Sequence, residues 1–315
     1  MRAFQRVRAG SLAACVAAAG LWAAAGAQAQ PAGMQRVELP LPEGPALQAH
    51  WWPATAQGPQ PVVLALHGCG GLYAKGGALS ERYWDTAQRL HDQGYAVLLP
   101  DSFGSRGLRE ICQSRYRDRT VDVALRAQDA RAALRWLATQ PQVDAQRVAV
   151  LGWSNGGSTT LALLEQRRRS PAANEARLAG AAVFYPGCAQ SLKQRAPLPP
   201  VPVLMQLGAL DDWTPPQPCV ELAQRWTADG AGHDGAAPEA SAAPADITVH
   251  VYEGSYHGFD GKSPVRLRAD VPNGVSSQGV HVGGNPQARE SSLAALDAFL
   301  ARVLRAAPPL NGRPG

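Results

Sequence analysis

The sequence predicts an α/β fold, a mostly parallel central sheet with helices on both faces. Two observations carry this. Seven short apolar runs recur along the chain, most of them continuous rather than alternating, as strands buried on both faces are. Between them lie segments of helical length and spacing, and strand–helix alternation favours a parallel sheet covered on both sides. The composition agrees: 315 residues, 45% hydrophobic and 17% charged, describe a globular chain and exclude wholesale disorder or a collagen-like repeat.

The first 29 residues read as a targeting segment. Arg2, Arg6 and Arg8 form a positive start, an alanine-rich apolar stretch follows from about Ala9 to Ala25, and Ala27-Gln28-Ala29 fits a small-x-small cleavage site. The expectation is a signal peptide cut after Ala29 and a periplasmic or secreted mature protein (30–315, one domain). The alanine-rich stretch is short for a membrane anchor. Removing this segment, which holds no acidic residue, takes the formal charge from +5 to +2. No clustered basic face points to nucleic acid. Arg167-Arg168-Arg169, the one dense basic run, reads as a solvated helix end.

Along the mature chain, strands are expected at 47–52, 61–66, 95–100, 147–151, 180–185, 201–207 and 247–252. A helix capped by Ser80 runs to Gln93 and stops at Gly94. Further helices are expected at 121–139, 154–168, 217–229 and 288–304. Two stretches lack a period: 230–245, rich in Gly, Ala and Pro, and 261–287. Both read as long surface loops, the second a candidate lid. With Cys15 in the leader, Cys69, Cys112, Cys188 and Cys219 remain, an even number suited to an oxidising compartment. Three pairings are possible. Cys69–Cys112 with Cys188–Cys219 is favoured, because each pair would staple loops that follow neighbouring strands. No spacing suggests zinc ligands.

The chemistry gathers where strands end. Gly152-Trp153-Ser154-Asn155-Gly156 follows an apolar run and opens a helical one. Such a turn strains the serine backbone and demands tiny neighbours two residues either side. A serine nucleophile needs a base, an acid and an oxyanion hole. His257 follows the last expected strand and Asp211 the one before it, with Asp212 as the rival acid. The order Ser, Asp, His is that of an α/β-hydrolase fold. The backbone N–H of Asn155 and that of Cys69, in His67-Gly68-Cys69-Gly70-Gly71, are the expected oxyanion donors. Trp153, Tyr185, Trp213 and Phe259 are candidates for the acyl pocket, with core packing as the alternative.

These motifs, with Asp211-Asp212-Trp213-Thr214-Pro215 and Tyr256-His257-Gly258-Phe259, resemble the dienelactone hydrolase family over roughly residues 45–305. The resemblance implies hydrolysis of a small-molecule ester or lactone through an acyl-enzyme, without a cofactor or metal. Ser154 would be nucleophile, Asp211 acid and His257 base. Family members that open dienelactone carry cysteine where Ser154 stands, a glutamate near Gly68, and two arginines that hold a substrate carboxylate. Arg106 matches the first of these; Gly261 and Lys262 stand where the second would fall. The serine points to a broader carboxylesterase. Dienelactone hydrolysis proper, polyester or peptide hydrolysis, and a non-catalytic binding protein on this scaffold are the alternatives.

Overall fold

A computed structural model describes residues 33–170, 172–230 and 246–305. The expected leader (1–29) and most of the 230–245 stretch lie outside the described residues. The elements in order are β1 (Gln35–Leu39), β2 (Leu47–Trp52), β3 (Gln60–Leu66), α1 (Glu81–Asp92), β4 (Ala96–Pro100), α2 (Val123–Ala138), β5 (Val143–Trp153), α3 (Asn155–Arg169), β6 (Leu178–Phe184), α4 (Ala189–Lys193), β7 (Val203–Gly208), α5 (Gln217–Gly230), β8 (Ile247–Tyr252), β9 (Arg266–Arg268), β10 (Val280–Val282) and α6 (Pro286–Val303).

Eight strands form one sheet in the order β1-β2-β4-β3-β5-β6-β7-β8. The β1–β2 and β2–β4 pairs are antiparallel; from β4 to β8 every pair is parallel. Side chains alternate along each strand, so successive residues feed opposite cores. Val62, Leu64, Val148, Val150, Val183 and Met205 pack with α2, α3 and α5 through Leu134, Leu163 and Trp226. Val63, Ala65, Ala149, Leu151, Ala182 and Leu204 pack with α1 and α6 through Leu90, Leu296 and Leu300. Both faces of the central strands are thus dry, which is why these strands read as unbroken apolar runs.

Several expectations shift. β1 was not foreseen; its alternation is short and it lies at the sheet edge. β5 begins at Val143, four residues before the expected start. Ser80 occupies the N-cap position of α1 but its side chain makes no cap hydrogen bond. Asp122 does cap α2, accepting from the Leu125 N–H. The 261–287 stretch is not a structureless loop. It holds the antiparallel β9–β10 pair, and its far end is tied down by N–H bonds from Gly283 to His257 O (3.0 Å), Gly284 to Ser263 O (2.7 Å) and Asn285 to Phe259 O (2.9 Å). Among the described residues, the disulfides are Cys69–Cys112 and Cys188–Cys219. Among the described residues, no helix is long and apolar enough to cross a membrane.

Candidate active site

Ser154 stands between β5 and α3 with φ 52° and ψ −118°, backbone that a residue with a side chain adopts only where the surroundings enforce it. The enforcement is steric and hydrogen-bonded. A Cβ on Gly152 would lie 2.4 Å from Gly156 O, and one on Gly156 would lie 2.0 Å from Leu66 O. Neither position has room for any other residue. The Ser154 N–H donates to Phe184 O of the neighbouring strand at 2.9 Å.

His257, buried and just beyond β8, places Nε2 2.9 Å from Ser154 Oγ. Its Nδ1 lies 2.8 Å from Asp211 Oδ2. Asp211 follows β7, and its other oxygen accepts the N–H groups of Trp213 (2.9 Å) and Thr214 (2.8 Å). An aspartate that bonds its own backbone two and three residues ahead holds one orientation. Thr214 Oγ1 sits 3.1 Å from both Asp211 Oδ2 and His257 Nδ1. Asp212, the rival acid, turns away and takes both the N–H (2.8 Å) and Nδ1 (2.7 Å) of His281. Tyr185 and Trp213 flank the His257 ring with centroids 4.5 and 4.6 Å away.

The loop after β3 faces this relay. Gly68 N–H donates to Tyr83 OH (2.7 Å), Gly71 N–H to Gly68 O (3.2 Å), and Cys69 O accepts from Ile111 N (2.8 Å). The Cys69 N–H has no protein acceptor among the described residues. The Asn155 N–H opens α3, where the first turn leaves N–H groups unsatisfied. Both expected oxyanion donors are therefore unspent.

A cleft of about 300 Å³ opens over Ser154, lined among others by Cys69, Tyr83, Trp153, Trp213 and His257. Arg82, Arg266 and Arg268 also line it, and among the described residues no acidic side chain does. Arg268 pairs with Asp270 and lies 5.6 Å from the Trp213 ring centroid. Arg106 is placed elsewhere. A short turn after β4 directs it into a two-pronged pair with Asp129 (2.8 and 2.9 Å) and onto Ser102 O (2.7 Å), away from the cleft. Lys262 is engaged with Glu81 and Asp85.

Sequence reasoning missed a carboxylate beneath the site. Buried Asp260 accepts from Tyr185 OH (2.6 Å), Trp153 Nε1 (3.0 Å) and Arg82 Nε (3.1 Å). It thereby braces the residue before Ser154 and the ring against His257. Burial, reinforced by Asp260, pushes the Tyr185 phenol well above its usual range, so it remains a donor. Phe259 is fully buried beside Tyr185 and does not line the cleft. The only signal for Asp260 was its nearness to His257. Among the described residues, no cluster of His, Cys, Asp and Glu could hold a metal ion.

No functionally curated protein matches the sequence. Among solved structures, a dienelactone hydrolase-like promiscuous phosphotriesterase from metagenomic libraries is similar (TM-score 0.58, 21% identity, 86% of this chain and 98% of that one). So is esterase 2 of Thermogutta terrifontis phosphorylated by paraoxon (TM-score 0.59, 16% identity, 89% and 97%). At these identities the likeness is one of fold. The family model described as "Dienelactone hydrolase family" matches residues 48–304, which include the Ser154 elbow between β5 and α3, Asp211 and His257, and the chain therefore belongs to that family.

Proposed function

We propose that the protein is a serine hydrolase that cleaves carboxylic esters or lactones through an acyl-enzyme, in the periplasm or outside the cell. The observation that carries this reading is the contact chain Ser154 Oγ–His257 Nε2 (2.9 Å) and His257 Nδ1–Asp211 Oδ2 (2.8 Å) at the floor of a cleft. In the proposed reaction His257 Nε2 takes the Ser154 proton as Oγ adds to the ester carbonyl carbon. Asp211 keeps Nδ1 protonated and stabilises the imidazolium. The oxyanion accepts the N–H groups of Cys69 and Asn155, each worth about 3 kcal/mol in the transition state. His257 then returns its proton to the departing alcohol and activates the water that releases the acid.

Two disulfides and the leader-like first 29 residues support the oxidising setting. Family membership and the ester chemistry named for the Thermogutta fold relative support the reaction class. Within that class, Arg266, which lines the cleft with no carboxylate partner among the described residues while Arg82 and Arg268 are paired with Asp260 and Asp270, favours esters or lactones that carry an anionic group. This replaces Arg106 as the source of such a preference.

The test is hydrolysis of p-nitrophenyl acetate and butyrate by the mature protein beside Ser154→Ala. The expected result is loss of nearly all turnover with an unchanged melting temperature. Turnover that survives the substitution overturns the reading.

A further inference from the structure

One buried cation has no part in the mechanism so far. Arg126, on α2, is 1% exposed and makes no ion pair with a carboxylate among the described residues. Its Nη2 donates to His67 O at 2.7 Å, its Nη1 to the side-chain oxygen of Asn155, and its Nε has no hydrogen-bond partner among the described residues. The acids nearby are engaged otherwise. Asp129 takes the Arg106 fork, and Asp101 caps the Phe103 and Gly104 N–H groups at 2.9 and 3.1 Å.

The two acceptors of Arg126 belong to the two segments that carry the oxyanion donors. Those segments are far apart in sequence, so tertiary contacts must set the spacing of their N–H groups. On the loop side the constraint passes peptide by peptide. Arg126 holds His67 O while Tyr83 OH holds Gly68 N, fixing the 67–68 peptide at both ends. The next carbonyl, Gly68 O, accepts from His67 Nδ1 (2.8 Å) and Gly71 N (3.2 Å). In a trans peptide the N–H points opposite to the C=O, so these bonds aim the Cys69 N–H. On the elbow side Arg126 grips the side chain of the residue whose own N–H is the second donor.

We propose that Arg126 is a positioning residue for the oxyanion hole, holding the Cys69 and Asn155 donors in register from behind and placing an unpaired positive charge at their back. The proposal rests on the ester-hydrolase reading above. A neutral brace would hold the segments without the cost of burying a cation. The charge survives that burial: its pKa falls to about 10, which leaves it protonated at neutral pH. His67 adds no second charge. It donates from Nδ1 to Gly68 O and accepts the Ser102 N–H at Nε2 (3.3 Å), and burial beside Arg126 holds it neutral. In a low-dielectric interior one such charge acts strongly on an oxyanion that forms only in the transition state.

The experiment compares p-nitrophenyl acetate with its thiono analogue in wild type, Arg126→Met, Arg126→Lys and Asn155→Ala. Sulfur is a weak hydrogen-bond acceptor, so a working oxyanion hole favours the oxygen ester. Arg126→Met is expected to lower kcat on the oxygen ester about tenfold to a hundredfold, with KM little changed and the oxygen-to-sulfur rate ratio reduced. Arg126→Lys should recover part of the ratio. Asn155→Ala keeps the backbone donor but loses the grip, and should show the same signature more weakly even if Arg126→Met does not fold. Equal losses on both esters, or a lower melting temperature with kcat intact, would leave Arg126 a structural brace and overturn the proposal. Wild-type protein inactive on both esters, with Ser154 unlabelled by a fluorophosphonate, overturns the parent reading as well.

Discussion

The two sides of the cleft are built by different means. On the side of the proposed oxyanion donors, the β3 loop and the elbow are largely buried and braced by backbone bonds, by Arg126 and, for the loop, by the Cys69–Cys112 disulfide. On the other side, the β9–β10 excursion is a pair of three-residue strands of which β9 lies toward solvent, with Leu267 52% exposed, while β10 anchors the pair through the buried Val280. One wall has little freedom to change without losing its geometry. The other can change the exposed side chains of β9 at small cost to the fold. Chemistry that must meet a transition state within a fraction of an ångström belongs on the first kind of wall, and substrate selection suits the second.

The comparison breaks most sharply at the proposed acid. Asp211→Asn would keep the shape but could not hold His257 in its required tautomer, and kcat should fall about a thousandfold or more. Asp212→Asn removes only the partner of His281, on the exposed side, and should leave kcat within about twofold. Steady-state kinetics of the two neighbours checks this. Equal losses would mean that the two aspartates share the role.

The disulfides sharpen it next. Cys69→Ala with Cys112→Ala keeps the Cys69 backbone donor but unties its loop from the segment ending at Cys112, which also lines the cleft. Stability should fall by about 2–4 kcal/mol, with kcat on p-nitrophenyl acetate falling severalfold. Removing Cys188–Cys219, which joins the start of α4 to α5 in the opposite core, should cost similar stability and little kcat. Urea denaturation with parallel kinetics separates the two effects.

How legible each wall was in the sequence follows from the same contrast. The parallel strands announced themselves because burial on both faces forces unbroken apolar runs. The elbow did so because no residue but glycine fits at 152 and 156. Ser154, Asp211 and His257 could be placed together because each follows a strand of one parallel sheet. Arg126 was invisible: an arginine in a helical pattern reads as solvated, and only the packing of α2 against the β3 loop buries it. Arg106 was misplaced for the converse reason. Its match to one of the two arginines of the family it resembles pointed to the substrate, but the turn at Gly104–Arg106 directs it to Asp129, a contact between segments that local pattern does not encode. The β9–β10 pair, three residues per strand, is too short to carry a period.

The smallest expected effect tests the selecting wall. Arg266 is exposed at the cleft and, unlike Arg82 and Arg268, holds no carboxylate in a salt bridge among the described residues. Its charge is therefore the most available to a substrate anion, but water screens it, so its contribution should be modest. Arg266→Gln is expected to raise KM for the p-nitrophenyl monoester of a short dicarboxylic acid about threefold to fivefold, roughly the 1 kcal/mol of an exposed ion pair. KM for p-nitrophenyl butyrate should stay unchanged, and kcat for both esters should be unmoved, because the residue touches no reacting atom. The difference between the two esters should shrink as salt rises from about 0.01 to 0.5 M, since screening shortens the reach of an exposed charge. A KM that rises equally for both esters would mean that the hairpin had shifted. If neither KM moves, the anionic preference is lost while the serine chemistry on the opposite wall stands.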